Sequence, residues 1–331
     1  MFKSPFFSLI KEKNGLFLYL LGVSCLEWTH KHLLGISDLS RDEICYLLEK
    51  ADDFRAFLDK SPKYLTNLKG YFLVNLFFEP STRTRVSFEI AAKLLGMEVI
   101  NFSTSLSSVQ KGENLRDTVL TLSQMKVDVL VVRHRESGVP LYFAGFLPFH
   151  IVNAGDGIRE HPTQALLDLL TIKRKFGKIS DLNVAIIGDI LHSRVARSLC
   201  IGLVKLGNSV VVSGPVTLVP RSIEEVGAKI VFPVEKAVQG VDVVYLLRIQ
   251  RERQEAGYFP SLREYSAFYG FGEEMKKLLR DNFVLMHPGP VNRGIEIASE
   301  FVETPFSLIQ EQVTCGLAVR MAVLDTLVGS D

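Results

Sequence analysis

Residues Asn75–Gly96 read NLFFEPSTRTRVSFEIAAKLLG. An apolar, strand-like run ends at Phe78. A helical pattern starts at about Arg85, with Val86, Phe88, Ile90, Ala91 and Leu94 on the face expected to be buried. Between the two stand Ser81, Thr82, Arg83, Thr84 and Arg85. A strand–turn–helix junction presents unpaired backbone N–H groups and the positive end of the helix dipole, so it is a ready anion site. The hydroxyls add donors, and Arg83 adds a planar fork suited to phosphate oxygens. Arg85 lies deeper in the helix and is expected to pair with Glu89 one turn on.

Outward from this stretch, strands and helices alternate. YFLVNLFF, VDVLVVRH and HIVNA are short apolar runs of the kind found in buried parallel strands, separated by helical patterns over Arg85–Leu95 and Asn114–Met125. The helix HPTQALLDLLTIKRKFG carries Pro162 in its first turn, Lys173–Lys175 near its end and Gly177 as a stop, and its length suits a connector. A second alternating unit follows: NVAIIGD, a helix over about Ser193–Leu206, SVVVSG, AKIVF, VDVVYLL and FVLMHPGP. The pattern predicts an α/β protein of two doubly wound parallel-sheet domains, with ligands in the cleft beyond the carboxyl ends of the strands. The expected division is an N-terminal extension over 1–28, a first domain over 29–163 joined by a returning C-terminal helix over 311–329, and a second domain over 164–310.

The whole chain has 331 residues, 47% of them hydrophobic, with 38 Lys plus Arg against 37 Asp plus Glu. That balance gives no electrostatic case for nucleic acid or an anionic membrane. Cys25, Cys45, Cys200 and Cys315 are scattered without a CxxC, which argues against a disulfide framework or structural zinc and fits a reducing, cytoplasmic setting. Met1–Leu26 stands apart. Lys3, Lys11 and Lys13 precede the eleven-residue apolar run LFLYLLGVSCL, which has the order of a secretion signal but is too short to span a bilayer. The plainer readings are an extension outside the core or an upstream start codon.

Further polar clusters stand at predicted strand ends and loop tips. Arg133 and His134 close a strand. His161 and Gln164 share one side of a first helical turn. Lys111–Gly112 reads as a loop tip. IGDILHSRVARS follows a strand and opens a helix, but its single glycine departs from the dinucleotide fingerprint, and Arg194 there directs a cation into the cleft. Arg248 and Gln250 alternate onto one face. Pro288, Gly289 and Pro290 present carbonyl acceptors in a stiff turn whose Gly289–Pro290 bond can be cis. Glu79 precedes the anion cradle and is expected to bridge to cleft arginines such as Arg194 or Arg253. The set has many cations, one central histidine, no metal cluster and no nucleophile–base order. It suits two anionic substrates and a negatively charged transition state.

FEPSTRTRVSFE, KGENLRDT, RH, HPTQALLDL, GDILHSRVARS, RIQRER, HPGPVNRG and GLAVRMAVL occur in the order and spacing of the aspartate/ornithine carbamoyltransferase family, which the chain resembles from Trp28 to Val328. The resemblance implies a transferase without cofactor or metal that moves the carbamoyl group of carbamoyl phosphate to an amino acid. It implies that Ser81, Thr82, Arg83 and Thr84 hold the phosphate, that Thr84, Arg133 and His161 polarise the carbamoyl oxygen, and that Gln164 with the Pro288–Gly289–Pro290 turn receives the carbamoyl amino group. Arg194, Arg248 and Gln250 would grip the amino acid's carboxylates, with Ser107 and Lys111 entering from a neighbouring subunit of a homotrimer. The first domain would then bind carbamoyl phosphate and the second aspartate, in pyrimidine biosynthesis. The ornithine branch usually shows HCLP and SMG segments, where this chain has HPGP and RIQRER. A cationic side chain would meet Arg248 unfavourably and a carboxylate would pair with it, which favours aspartate over ornithine or an acylated ornithine. Relatives differ in company: some bind a regulatory chain, others dihydroorotase, and some are bare trimers. The resemblance also weighs against export for Met1–Leu26.

Overall fold

Ser40 starts the first helix, α1 (Arg41–Asp59), through a capping box in which its hydroxyl accepts from Glu43 N and the Glu43 carboxylate accepts from Ser40 N. The structure, a computed structural model, describes residues 28–60, 64–103, 114–249 and 261–329. Trp28–His30 belong to a separate N-terminal unit, and everything below lies within the unit Lys31–Asp331.

Four strands form the first sheet: β1 (Phe72–Phe77), β2 (Glu98–Ser103), β3 (Val129–His134) and β4 (His150–Asp156). All pairings are parallel, in the order β2-β1-β3-β4. The apolar runs of β1, β3 and β4 are buried as expected of a sheet covered on both faces. EVINFS, which a search for apolar runs passes over, forms the edge strand β2, where Ile100 is 47% exposed. Helix α2 (Thr82–Leu94) begins three residues earlier than its apolar pattern suggests, so Thr82, Arg83 and Thr84 form its first turn. Its buried face is Phe88, Ala91 and Ala92; Val86 and Ile90 are 39% and 43% exposed, contrary to expectation, because positions 86 and 90 share the opposite face. Then come α3 (Leu115–Ser123), capped by Asn114, and the short α4 (Val139–Ala144).

The second sheet contains β5 (Asn183–Ile187), β6 (Ser209–Ser213), β7 (Lys229–Ile230), β8 (Val243–Leu246) and β9 (Val284–Met286). It too is parallel, in the order β7-β6-β5-β8-β9. Its helices are α6 (Arg194–Lys205), α7 (Val234–Ala237), α8 (Leu262–Tyr269) and α9 (Glu273–Lys276). Each sheet has its own apolar core: Val74, Leu76, Leu130 and Phe143 in one, Ile187, Val244, Phe271 and Leu285 in the other. Each such side chain contributes about 1.5–3 kcal/mol by burial.

Two helices join these cores. The connector α5 (Pro162–Phe176) has Pro162 in its first turn and ends at Gly177, whose φ of 68° suits glycine. It packs on β4 and on α6, hence on both halves. The final helix, α10 (Ile309–Val328), packs on α1, α2, α5 and β9. In each sheet the strand order reverses at one point, between β1 and β3 in the first and between β5 and β8 in the second. A ligand crevice is expected at the carboxyl ends of both pairs.

Candidate active site

A cavity of about 810 Å³ collects those strand ends. Ser81, Thr82, Arg83 and Thr84 line it from the β1–α2 junction, Arg133 from β3, and His161 and Gln164 from the start of α5. From the second half come Arg194, Arg248, Pro288, Gly289 and Pro290. The expected residues thus converge from segments spread over two hundred positions. Ser107, Lys111, Gln250 and Arg253 lie outside the described residues. Among the described residues, no group of three or more His, Cys, Asp or Glu could hold a metal ion.

The entrance of α2 is left open. Ser81 is its N-cap residue, yet its side chain makes no capping hydrogen bond, so the hydroxyl and the first-turn N–H groups remain available to a ligand. Arg83 Nη2 donates to the Pro288 carbonyl at 3.2 Å, linking cradle and turn. Gly289 has φ +60°, a conformation that favours glycine, and a Cβ there would collide with the Arg83 guanidinium and push it aside. The Gly289–Pro290 bond is cis. Arg85 does not pair with Glu89 as expected: the Glu89 carboxylate accepts from Lys93 Nζ at 2.7 Å and from Asn101 Nδ2 at 2.9 Å. Lys93 lies one turn further along the same helix, and its flexible stem reaches the carboxylate.

Glu79 gathers two cations. Its carboxylate lies 2.9 Å from Arg133 Nε and pairs with Arg194, as anticipated. Arg194 is buried and presses against Gly155, where φ is +111° and a Cβ would come within 2.9 Å of the guanidinium carbon. Arg133 Nη1 also donates to the Ala154 carbonyl at 3.2 Å. Its neighbour His134 takes no part in the cavity; it packs edge-on against Phe78 and accepts from Glu136 N.

His161 is buried at the N-cap of α5, and its backbone N–H donates to Ser198 Oγ at 2.9 Å. Burial, with Arg133, Arg194 and Arg320 nearby, holds its pKa well below 6.5, so the imidazole is neutral at physiological pH. Its Nδ1 is buried without a hydrogen-bond partner, as suits a group awaiting a ligand or a bound water. In the IGD turn, Asp189 accepts from His192 N and lies against its imidazole, and Ser193 caps α6, so the junction is filled by its own side chains.

Residues with no assigned role also enter. Arg320 on α10 is buried, lines the cavity, donates to Ser87 Oγ at 3.0 Å and stacks on Phe88. Burial lowers its pKa to about 10. Gln312 and His287 join it in the lining. The available signal was a single cation, and a single carboxylate (Asp168), in otherwise apolar helical stretches.

Two family models match the chain: the carbamoyl-phosphate-binding domain of aspartate/ornithine carbamoyltransferases over residues 31–174, and the aspartate/ornithine-binding domain over 180–327. The chain is 51% identical over 299 residues to the aspartate carbamoyltransferase catalytic subunit of Moorella thermoacetica, a match covering 90% of this chain and 97% of that one. It resembles the structure of aspartate transcarbamoylase from Trypanosoma cruzi in complex with N-(phosphonacetyl)-L-aspartic acid, with TM-score 0.81 and 32% identity over 88% of this chain and 94% of that one. It also resembles the ornithine carbamoyltransferase of Pyrococcus furiosus, with TM-score 0.82 and 29% identity over 92% and 99% of the two chains. The backbone is therefore common to both branches, and the side chains must separate them.

Proposed function

This chain belongs to the aspartate/ornithine carbamoyltransferase family, and from that premise we propose that it transfers the carbamoyl group of carbamoyl phosphate to L-aspartate, giving N-carbamoyl-L-aspartate and phosphate for pyrimidine biosynthesis. The observation that carries the reading is the charge of the cavity: Arg83 and Arg133 from one sheet face Arg194 and Arg248 from the other around a neutral His161. Such a site suits two anions. Ornithine would bring a cation against Arg248, whereas the second carboxylate of aspartate pairs with it.

In this reading Ser81, Thr82, Arg83 and Thr84 hold the phosphate, and Thr84, Arg133 and His161 polarise the carbamoyl oxygen. Gln164 and the Pro288–Pro290 turn accept from the carbamoyl amino group. Arg194, Arg248 and Gln250 take the aspartate carboxylates. The aspartate amine attacks the carbamoyl carbon, a C–N bond forms, the C–O bond to phosphate breaks, and the amine proton leaves with the phosphate. Charge builds on the carbonyl oxygen, where one preformed donor is worth about 3–4 kcal/mol. Holding both anions in register contributes roughly 7–11 kcal/mol.

We assign the phosphate half to 29–163 with the returning helix, and the aspartate half to 164–310. Ser107 and Lys111 act from a neighbouring subunit of a cytoplasmic homotrimer. Support for that interface comes from the exposed apolar Val86, Ile90 and Ile100 on α2 and the edge strand β2, which ends eight positions before Lys111 in the sequence. Association with a regulatory chain or dihydroorotase would add further subunits to this trimer. Assays with aspartate, ornithine and N-acetylornithine, run side by side on protein of measured oligomeric mass, test the reading. Product from aspartate alone is expected; carbamoylation of ornithine instead would overturn it. Trimers mixed from inactive K111A and inactive H161A chains should regain activity, and their failure to do so would sink the shared site.

A further inference from the structure

Asp168 lies one turn beyond Gln164 on α5, fully buried, beneath the cavity rather than in its lining. It accepts from three donors: Gln164 Nε2 at 3.2 Å, Gln312 Nε2 at 2.7 Å and the Tyr245 hydroxyl at 2.7 Å. Those donors come from α5, α10 and β8, so the carboxylate gathers elements of both halves. Gln312 continues the chain, since its Oε1 accepts from His287 N at 3.1 Å, and His287 Nδ1 accepts from Gly289 N at 2.8 Å.

The two branches lead to the two groups that receive the carbamoyl amino group in the reading above. A glutamine amide can face either way, as donor or as acceptor. An ionised carboxylate only accepts, so it pins the Gln164 NH2 toward itself and leaves Oε1 free to accept in the cleft. It pins Gln312 in the same way, so that Gln312 Oε1 must take the His287 N–H at the base of the Pro288–Gly289 turn. Burial raises the Asp168 carboxyl to about 7 even with the three donors and Arg320 pulling it down, so the carboxylate that pins both glutamines is the form present above that pH; Arg320 from α10 and Tyr245 from β8 are the ionisable groups that face it.

We propose that Asp168 is a positioning residue that sets the polarity of both acceptors, Gln164 and the Pro288–Gly289 turn, and thereby confers the preference for a carbamoyl over an acyl phosphate. The proposal rests on the carbamoyl-transfer reading. Both glutamines donate to the same Oδ1, so an asparagine can keep both bonds and turn its NH2 to the Tyr245 hydroxyl; leucine at 168 keeps a similar volume but removes the acceptor, which frees both glutamine amides to turn over.

Acetyl phosphate is the probe, because a methyl group replaces the amino group and the phosphate is retained. For Asp168→Leu the KM for carbamoyl phosphate should rise about 10- to 100-fold, the effect of one or two hydrogen bonds. The inhibition constants of acetyl phosphate and inorganic phosphate should change less than about twofold. Parallel weakening of all three ligands would reduce Asp168 to a structural part and overturn the proposal, as would an unchanged KM. If D168L does not fold, Gln312→Leu severs only the branch to His287, and it should show the same selective loss at smaller size; parallel weakening there overturns the proposal too. Wild-type protein that forms no carbamoyl aspartate would instead refute the parent reading.

Discussion

The molecule contains two strand–turn–helix junctions of the same kind, one after β1 and one after β5, and they end differently. At the first, Ser81 stands at the N-cap without capping, and the hydroxyls of the turn face the cavity. At the second, Ser193 Oγ accepts from Ala196 N at 3.1 Å and Asp189 folds back onto His192. A helix entrance binds an anion only if its donors are left unspent. The first junction keeps them for a ligand, and the second spends them on stability and contributes Arg194 as its cation, flanked by Ser193 and Val195.

The largest test of this contrast is Arg83→Ala. It removes the one guanidinium of the open entrance and should lower kcat/KM by about 10³, the upper end for loss of one preformed donor. Steady-state kinetics with carbamoyl phosphate as the varied substrate would show it. Next is Gly289→Ala. The added methyl meets Arg83 at a φ of +60° and should displace the guanidinium, at a cost of about a hundredfold in rate. In an Arg83→Ala background the same change should cost much less, because its collision partner is gone.

The paired serines sharpen the comparison directly. Ser81→Ala should raise the KM for carbamoyl phosphate about tenfold with no loss in denaturant stability. Ser193→Ala should do the reverse, costing about 1 kcal/mol of stability with KM within twofold. An interchange of these outcomes would mean that the two entrances have been misread. The smallest expected effect concerns His161. Its depressed pKa means the unfolded chain takes up a proton as pH falls through 6.5 while the native imidazole does not. Stability therefore drops on acidification below about 6.5, and the rate profile above pH 6 carries no step from this residue. Histidine NMR titration would check that the imidazole stays neutral.

The polar cluster at the helix entrance was legible because its parts are consecutive: five polar residues, Ser81–Arg85, follow shortly after an apolar strand and line or adjoin the cavity. Arg133 and Arg248 were legible for a related reason, as they stand at or just beyond the ends of buried strands. The support beneath them was not. Gln312 is 144 positions from Asp168 and Tyr245 is 77, and nothing local to any of the three announces the others. Edge strand β2 escaped notice because one side of it is polar or exposed, and the exposure of Val86 and Ile90 shows that a helix can carry apolar residues on two faces. Periodicity identifies an apolar face but not what covers it.

Helix α10 has a consequence in time. It brings Gln312 and Arg320 to a cavity whose earliest wall, Glu79–Thr84, is made more than two hundred positions before them. Translation proceeds from the N-terminus, so the Ser81–Thr84 entrance can exist on a nascent chain while the α10 side of the cavity is still unmade. The growing polypeptide therefore has no finished site until α10 has been made and has docked.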